Sequence, residues 1–101
     1  MVKLVALYRP PSDPKAFDEH YFNVHVPLNA KTPNLRRVEI SRVTGSPMGG
    51  QAPYYMMAEM YFDDAEAMRE ALASPEARAA GRDLMSFARD LVVLMTAEVV
   101  E

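Results

Sequence analysis

The chain has 101 residues, of which 50% are hydrophobic, with a formal net charge of −3 at pH 7 and no cysteine. These values indicate one globular domain over residues 1–101, and they exclude disulfides, thiolate catalysis and cysteine-bound metals. No Lys/Arg cluster offers a surface for nucleic-acid phosphates, and no apolar run is long enough to span a bilayer. We therefore expect a cytoplasmic protein that binds neither nucleic acid nor membranes.

A strand and a helix are predicted at the start of the chain. Val2–Arg9 is mostly apolar on both faces and is followed by two prolines, which indicates a strand in the middle of a sheet. Asp13 suits the N-cap of a helix, and Pro14 suits its first position, where the backbone N–H has no partner. The apolar stripe of this helix is formed by Phe17, Tyr21, Val24 and Leu28.

His25 lies beside this stripe and is the first candidate for chemistry. It is roughly 80° round the helix from Phe17, and we expect Pro27 to end or kink the helix near it. A helix C-terminus favours a protonated histidine, which can act as a general acid or base; the alternative is a role in capping the last carbonyls. His20 is expected at the surface or in an interface. It lies about 140° from His25 on a regular helix, which argues against a shared metal ion.

The rest of the chain predicts three more strands and two helical segments. The turn before the second strand places Asn34 where a left-handed conformation is needed. Strands are predicted at Leu35–Thr44, Tyr54–Asp63 and Leu91–Val100, a loop at Gly45–Pro53, and helices capped by Asp63 or Asp64 and by Ser74. The loop lacks the lysine of a phosphate-binding loop, so we interpret it as a flexible lip over a cavity.

The order β-α-β-β-α-β is that of a ferredoxin-like α+β fold, a four-stranded antiparallel sheet with both helices on one face. The second face of the sheet would then carry Tyr55, Met57 and Tyr61, a surface too apolar for a soluble monomer to expose. We therefore expect two copies to pack face to face as a homodimer, with a cavity enclosed by the assembly.

Glu59 is the second candidate for chemistry, because it is the charged residue in the middle of an otherwise uncharged strand. If it points into the dimer cavity, desolvation raises the pKa of its carboxyl unless His25 or an arginine pairs with it. A catalytic or ligand-orienting role is one hypothesis. The alternative is an ion pair with Arg37 or Arg42 of the neighbouring strand.

Four further side chains are candidates for binding a ligand. Their rings, hydroxyls and thioether suit a small hydrophobic or aromatic molecule, although the same pattern is typical of an interface core. These candidates are Tyr21, Tyr55, Tyr61 and Met57. We expect no cofactor and no metal site, because a metal needs two or three ligating side chains close together.

Three stretches together resemble the ethyl tert-butyl ether degradation (EthD) family. They are F-x3-Y-F-x2-H-x-P-L-x2-K-x-P from Phe17 to Pro33, V-x-G-x-P-x-G from Val43 to Gly49, and the strand from Ala52 to Asp63. The resemblance covers nearly the whole chain and implies the dimeric α+β barrel fold. It also places His25 and Glu59 at matching family positions. The family's members are short intracellular proteins, some of them found beside oxidative degradation genes.

Two positions depart from the family pattern. Phe22 stands where relatives often have tryptophan, which changes any stacking surface, and Asn34 replaces a frequent turn glycine. Related dimeric α+β barrels include cofactor-free monooxygenases, muconolactone isomerases and small decarboxylases or cyclases.

These observations lead to two hypotheses of function. In the first, the protein binds a small hydrophobic or aromatic metabolite of a degradation pathway and performs cofactor-free acid/base chemistry, with His25 moving a proton and Glu59 orienting it. In the second, it is a non-catalytic accessory protein that supports a partner oxidase. A purely structural dimer, its cavity filled by its own side chains, is a third reading.

Overall fold

One antiparallel sheet runs through the computed structural model, which describes residues 1–101. Its strands are β1 (Val2–Tyr8), β2 (Arg37–Arg42), β3 (Met56–Phe62) and β4 (Val92–Glu98). They are hydrogen-bonded in the order β2-β3-β1-β4. The strand β1 is therefore central, as its two-sided hydrophobic pattern indicated.

All helices pack on one face of this sheet. They are α1 (Pro14–His20), a π-helical turn (Tyr21–His25), α2 (Val26–Asn29), α3 (Ala65–Leu72) and α4 (Pro75–Ala88). The main core cluster joins strand residues such as Tyr8 and Met56 to Phe17, Tyr21 and Leu84 of the helices. This is the predicted ferredoxin-like α+β fold. None of the helices has the length and hydrophobicity needed to cross a membrane.

The helix starts follow the predicted cap chemistry. The side chain of Asp13 accepts a hydrogen bond from the backbone N–H of Ala16 at 3.1 Å, and Asp64 and Ser74 cap α3 and α4 in the same way. Asn34 has a φ of 64°, the left-handed conformation expected for it. The predicted strands are each one to four residues longer than the observed strands.

The first helical region differs from its prediction at Pro27. The helix does not end near His25 but continues to Asn29, because one π-helical turn precedes the proline. In that turn the Val26 N–H donates to the Tyr21 carbonyl, five residues back. This spacing brings residues five apart onto one side of the helix. The expected divergence of His20 and His25 is therefore wrong.

The two faces of the sheet have different surroundings. Ala6 and Tyr8 of β1 and their partners on β3 point towards the helices. The alternate residues form what we call the open face, where Val5 lies opposite Glu59 and Lys3 lies opposite Tyr61. No helix packs on this second face, although side chains within the face leave Val5 and Tyr61 only 8% and 7% exposed.

Candidate functional site

Four polar side chains meet between α4 and the first helical region, and we call them the His25 cluster. They are His20, His25, Asn29 and Asp83. The π-helical turn places both histidines on the side facing α4, and Asn29 follows His25 by one helical turn. The cluster therefore depends on the π-helical turn that lies just before Pro27.

The hydrogen bonds of the cluster fix the tautomer of His25. Its Nδ1 lies 3.0 Å from Oδ2 of Asp83. Because an ionised carboxylate only accepts, Nδ1 carries the hydrogen and donates it. Nε2 is then the acceptor, and the amide Nδ2 of Asn29 donates to it at 3.1 Å. The other carboxylate oxygen, Oδ1, accepts from His20 Nε2 at 2.8 Å.

Burial decides the charge of the central ring. The side chains of His25, Asp83 and His20 are 3%, 13% and 35% exposed. Desolvation lowers the pKa of His25 below 6.5, although the hydrogen bond and charge of Asp83 oppose this. His25 is therefore neutral near pH 7, with a lone pair on Nε2, whereas we had expected a helix terminus to favour its charged form. The difference arises because the helix continues past it.

His25 and Asn29 line a cavity of about 220 Å³ between the sheet and the helices. Its walls are mostly apolar, and its other polar groups are Tyr8 and Thr32. No Lys, Arg, Asp or Glu lines the cavity. The lining also includes Leu4, Ala6, Ala58, Met60, Leu72, Ala77, Ala80, Gly81, Leu84 and Leu94.

A second apolar cavity of about 280 Å³ adjoins the first. The two share Asn29, Ala58 and Met60, so the amide of Asn29 stands at their junction. The second cavity is bounded by Tyr21, one of the predicted ligand-binding residues, and by Val26, Ala30, Val38 and Ile40.

Two buried tyrosines complete the surroundings of the cluster. The rings of Tyr8 and Tyr21 meet edge to face with their centroids 5.3 Å apart, and the Tyr21 ring lies 5.8 Å from that of His25. Burial raises the pKa of both phenols, that of Tyr21 to about 12. Both hydroxyls therefore stay protonated at neutral pH and add no charge to the site.

Glu59 does not join this site, and the expectation that it pairs with His25, Arg37 or Arg42 is wrong. It lies on the open face, where Lys3 Nζ donates to Glu59 Oε2 at 2.7 Å. The sheet separates it from His25, because alternate residues of a strand point to opposite faces.

The remaining predicted ligand-binding residues also lie away from the helix-side cavities. The ring of Tyr61 is contacted by the guanidinium of Arg37 at 4.2 Å, and Met57 shares the open face with it. The hydroxyl of Tyr55 donates to Asp18 at 2.9 Å. The structure thus brings His25 and Tyr21 together and leaves Glu59, Tyr61, Met57 and Tyr55 elsewhere.

Sequence reasoning missed Asp83 and Asn29 as parts of the site. Asp83 carried a usable signal, since it sits three residues after Ala80 and four before Phe87, on the buried side of α4. An acid at such a position needs a partner. Asn29 also carried a usable signal, because it lies four residues after His25.

The cluster is not arranged as a metal site. No group of three or more His, Cys, Asp or Glu side chains is placed to hold a metal ion. Both oxygens of Asp83 already accept hydrogen bonds from ring nitrogens. Within the cluster, His25 Nε2 is the atom that can accept a hydrogen bond or proton from an incoming molecule. It becomes available once Asn29 turns its amide towards that molecule.

Known families and proteins include close matches to this chain. A family profile described as the EthD domain matches residues 9–90. An uncharacterized 11.0 kDa protein in the thcB-thcC intergenic region of Rhodococcus erythropolis is 35% identical over 94% of this chain and 91% of its own. The crystal structure of an ethyl tert-butyl ether degradation family protein from Bacillus halodurans is 50% identical and covers 99% of each chain, with a TM-score of 0.95.

A more distant structure shares the fold alone. It is that of a mutant of SnoaB, a cofactor-independent oxygenase from Streptomyces nogalater. This protein is 18% identical, covers 99% of this chain and 93% of its own, and has a TM-score of 0.69.

Proposed function

We propose an enzymatic function for this chain, which belongs to the EthD family: general acid/base chemistry on a small, neutral, hydrophobic or aromatic molecule bound beside His25. The observation that carries the proposal is the hydrogen-bonded order Asp83–His25–Asn29 at the wall of an apolar cavity. A neutral, oriented imidazole beside an apolar cavity is an arrangement suited to general base catalysis.

The roles of the three residues follow from their atoms. His25 Nε2 accepts a proton from a C–H or O–H acid of the ligand, and the bonding electron pair stays on the ligand as an enolate or phenolate. Asp83 keeps the opposite nitrogen protonated and stabilises the imidazolium that forms. The amide of Asn29 then donates to the ligand oxygen on which charge develops. Return of the proton from Nε2 at a second position completes an isomerisation.

The cavity lining supports the choice of ligand class. An anionic or cationic ligand needs a counter-charge, and neither cavity has a Lys, Arg, Asp or Glu in its wall. An apolar body gains free energy from burial against the small alanine and leucine side chains. One ligand oxygen beside Asn29 can accept a hydrogen bond from its amide. The assignment to a degradation pathway rests on the family description.

The assembly we propose is a homodimer joined through the open face. That face carries Val5, Met57, Tyr61 and Met95 as well as the Lys3–Glu59 pair. Its charges are already partnered within the chain, so a second copy can cover the exposed Met95 without leaving an unpaired ion. In such a dimer Glu59, Tyr61 and Met57 serve association, and each subunit keeps its own helix-side cavity.

The test begins with native mass spectrometry of gently purified protein, which identifies any small molecule retained by the dimer. The identified molecule is then incubated with the protein in D₂O, and deuterium incorporation into its C–H bonds is followed by NMR. We expect exchange above the uncatalysed rate in wild type and none in His25→Ala, with the dimer mass unchanged. Exchange that survives in His25→Ala contradicts the proposal.

The same assay distinguishes the accessory-protein alternative. A carrier retains the molecule saturably but leaves its C–H bonds unlabelled and forms no product. Binding without exchange at any pH between the pKa of His25 and neutrality would favour that alternative over catalysis.

A further inference from the structure

We infer that His20 is a positioning residue that competes with His25 for the carboxylate of Asp83 and thereby keeps the His25 ring in its neutral, proton-accepting form. This inference rests on the proposed function of His25. It assigns a role to a histidine that the sequence indicated only as a surface or interface residue.

The geometry of the carboxylate is the first argument. Asp83 presents one oxygen to each ring, Oδ1 to His20 Nε2 at 2.8 Å and Oδ2 to His25 Nδ1 at 3.0 Å. A carboxylate carries a single negative charge and can neutralise one imidazolium. A second proton would place two positive rings around one buried anion, which is unfavourable at such short range.

Exposure determines what a charge on His25 costs. The His20 side chain is 35% exposed, whereas that of His25 is 3% exposed. Charging the buried ring therefore costs more desolvation free energy, and His25 relies on Asp83 to offset that cost. Because Asp83 also accepts a hydrogen bond from His20, less of its charge is available to stabilise a proton on His25.

The other neighbours of the two rings do not change this balance. Phe87 packs against both, with centroid distances of 4.5 Å to His20 and 5.3 Å to His25, and contributes an uncharged apolar surface. The remaining titratable groups facing His25 are Tyr8 of β1 and Tyr21 of the π-helical turn, both held as neutral phenols by burial. Proximity of His20 lowers the pKa of His25 in addition to the larger effect of burial.

The test is an NMR titration, which is simple because the chain has two histidines. His20→Gln is the variant of choice, since its amide still donates to Asp83 but cannot carry charge. We expect the titration midpoint of His25 to rise by roughly one pH unit in His20→Gln, within the range that a neighbouring charge produces. In Asp83→Asn we expect it to fall. An unchanged midpoint in His20→Gln overturns the inference.

The wild-type protein provides a second measurement that does not depend on any variant folding. Its His25 ring should titrate below the ordinary histidine value, because burial lowers its pKa and the nearby His20 lowers it further. A His25 midpoint at or above the ordinary value contradicts the inference. Neither titration needs a substrate, so the two proposals can fail separately. A wrong His25 midpoint together with intact deuterium exchange rejects only the role of His20. The expected His25 midpoints without any deuterium exchange reject only the catalytic proposal.

Discussion

The two faces of the sheet carry similar residue types but differ in what surrounds them. On the helix side, His25 is buried, oriented by Asp83 and adjacent to a cavity. On the open face, the Glu59 side chain is only 13% exposed and is paired with Lys3, but it lines neither of the two cavities. A titratable group becomes suited to catalysis when it is buried beside a cavity that can hold a ligand, and of these two groups only His25 lies beside one.

Replacing one acid/base residue on each face tests this difference between the faces most directly. Removing the imidazole should lower deuterium exchange by about 100-fold or more, the usual contribution of a general base. The matched change Glu59→Gln should leave exchange within about twofold, since the sheet separates it from the cavity. Exchange rates of His25→Gln and Glu59→Gln, measured with the same ligand, decide between the faces. Equal losses in both variants would contradict the assignment.

A charge placed on the open face should separate the subunits. Met95 is 43% exposed and lies opposite Val5 on that face. Met95→Glu would bury an unpaired carboxylate in the proposed interface at a cost of several kcal/mol, so we expect a monomer. Met48→Glu is the matched control, because Met48 is 92% exposed in the loop before β3. Native mass spectrometry measures the oligomeric state of both variants. A Met95→Glu dimer as stable as wild type would reject this interface.

Filling the cavity with a larger side chain tests whether the helix side binds the ligand, and it leaves every polar group unchanged. Gly81 of α4 lines the cavity, and a Cβ built on it meets no atom within 4 Å. Gly81→Leu should weaken ligand binding at least about tenfold while raising helix stability by up to roughly 1 kcal/mol from propensity. Gly81→Ala controls for the propensity gain with little loss of space. Isothermal titration and thermal unfolding separate the two effects, and undiminished binding in Gly81→Leu would place the ligand elsewhere.

The depressed pKa of His25 also predicts how stability depends on pH. An unfolded histidine titrates near 6.5, and the folded one titrates lower. Between these values the unfolded state binds more protons, so the stabilisation is complete above pH 6.5 and is lost as the pH falls below it. Denaturant unfolding at about pH 7.5 and about pH 5 should show a larger loss for wild type than for His25→Gln. An identical loss in the two proteins would mean that His25 is not protonated at a reduced pKa.

The fold was predictable because its signals are local. Asp13, Asp64 and Ser74 each indicate a helix start by side-chain chemistry that needs no tertiary context. The two-sided apolar pattern of β1 likewise indicated its central position in the sheet. These elements, in their order along the chain, are enough to specify the ferredoxin-like topology.

The site was only partly predictable because it depends on contacts between distant elements. His25 was found from its place beside an apolar stripe, but its partner Asp83 is 58 residues away. The pairing also requires a π-helical turn, which Pro27 alone does not distinguish from a helix end. Glu59 was placed on the correct face of β3, beside Met57 and Tyr61, but its partner is Lys3 of β1, which lies 56 residues away in sequence.

The central claim is that small neutral ligands enter the helix side of the sheet, and β3 carries a matched pair of reporters for it. Met60 lines both cavities, whereas Met57, three residues earlier, lies on the open face. The measurement is a titration of methyl-labelled methionine protein with indole, a neutral aromatic probe, followed by NMR. We predict saturable shifts of the Met60 methyl signal and an unmoved Met57 signal. Shifts confined to Met57 would place the binding site on the open face and contradict the account.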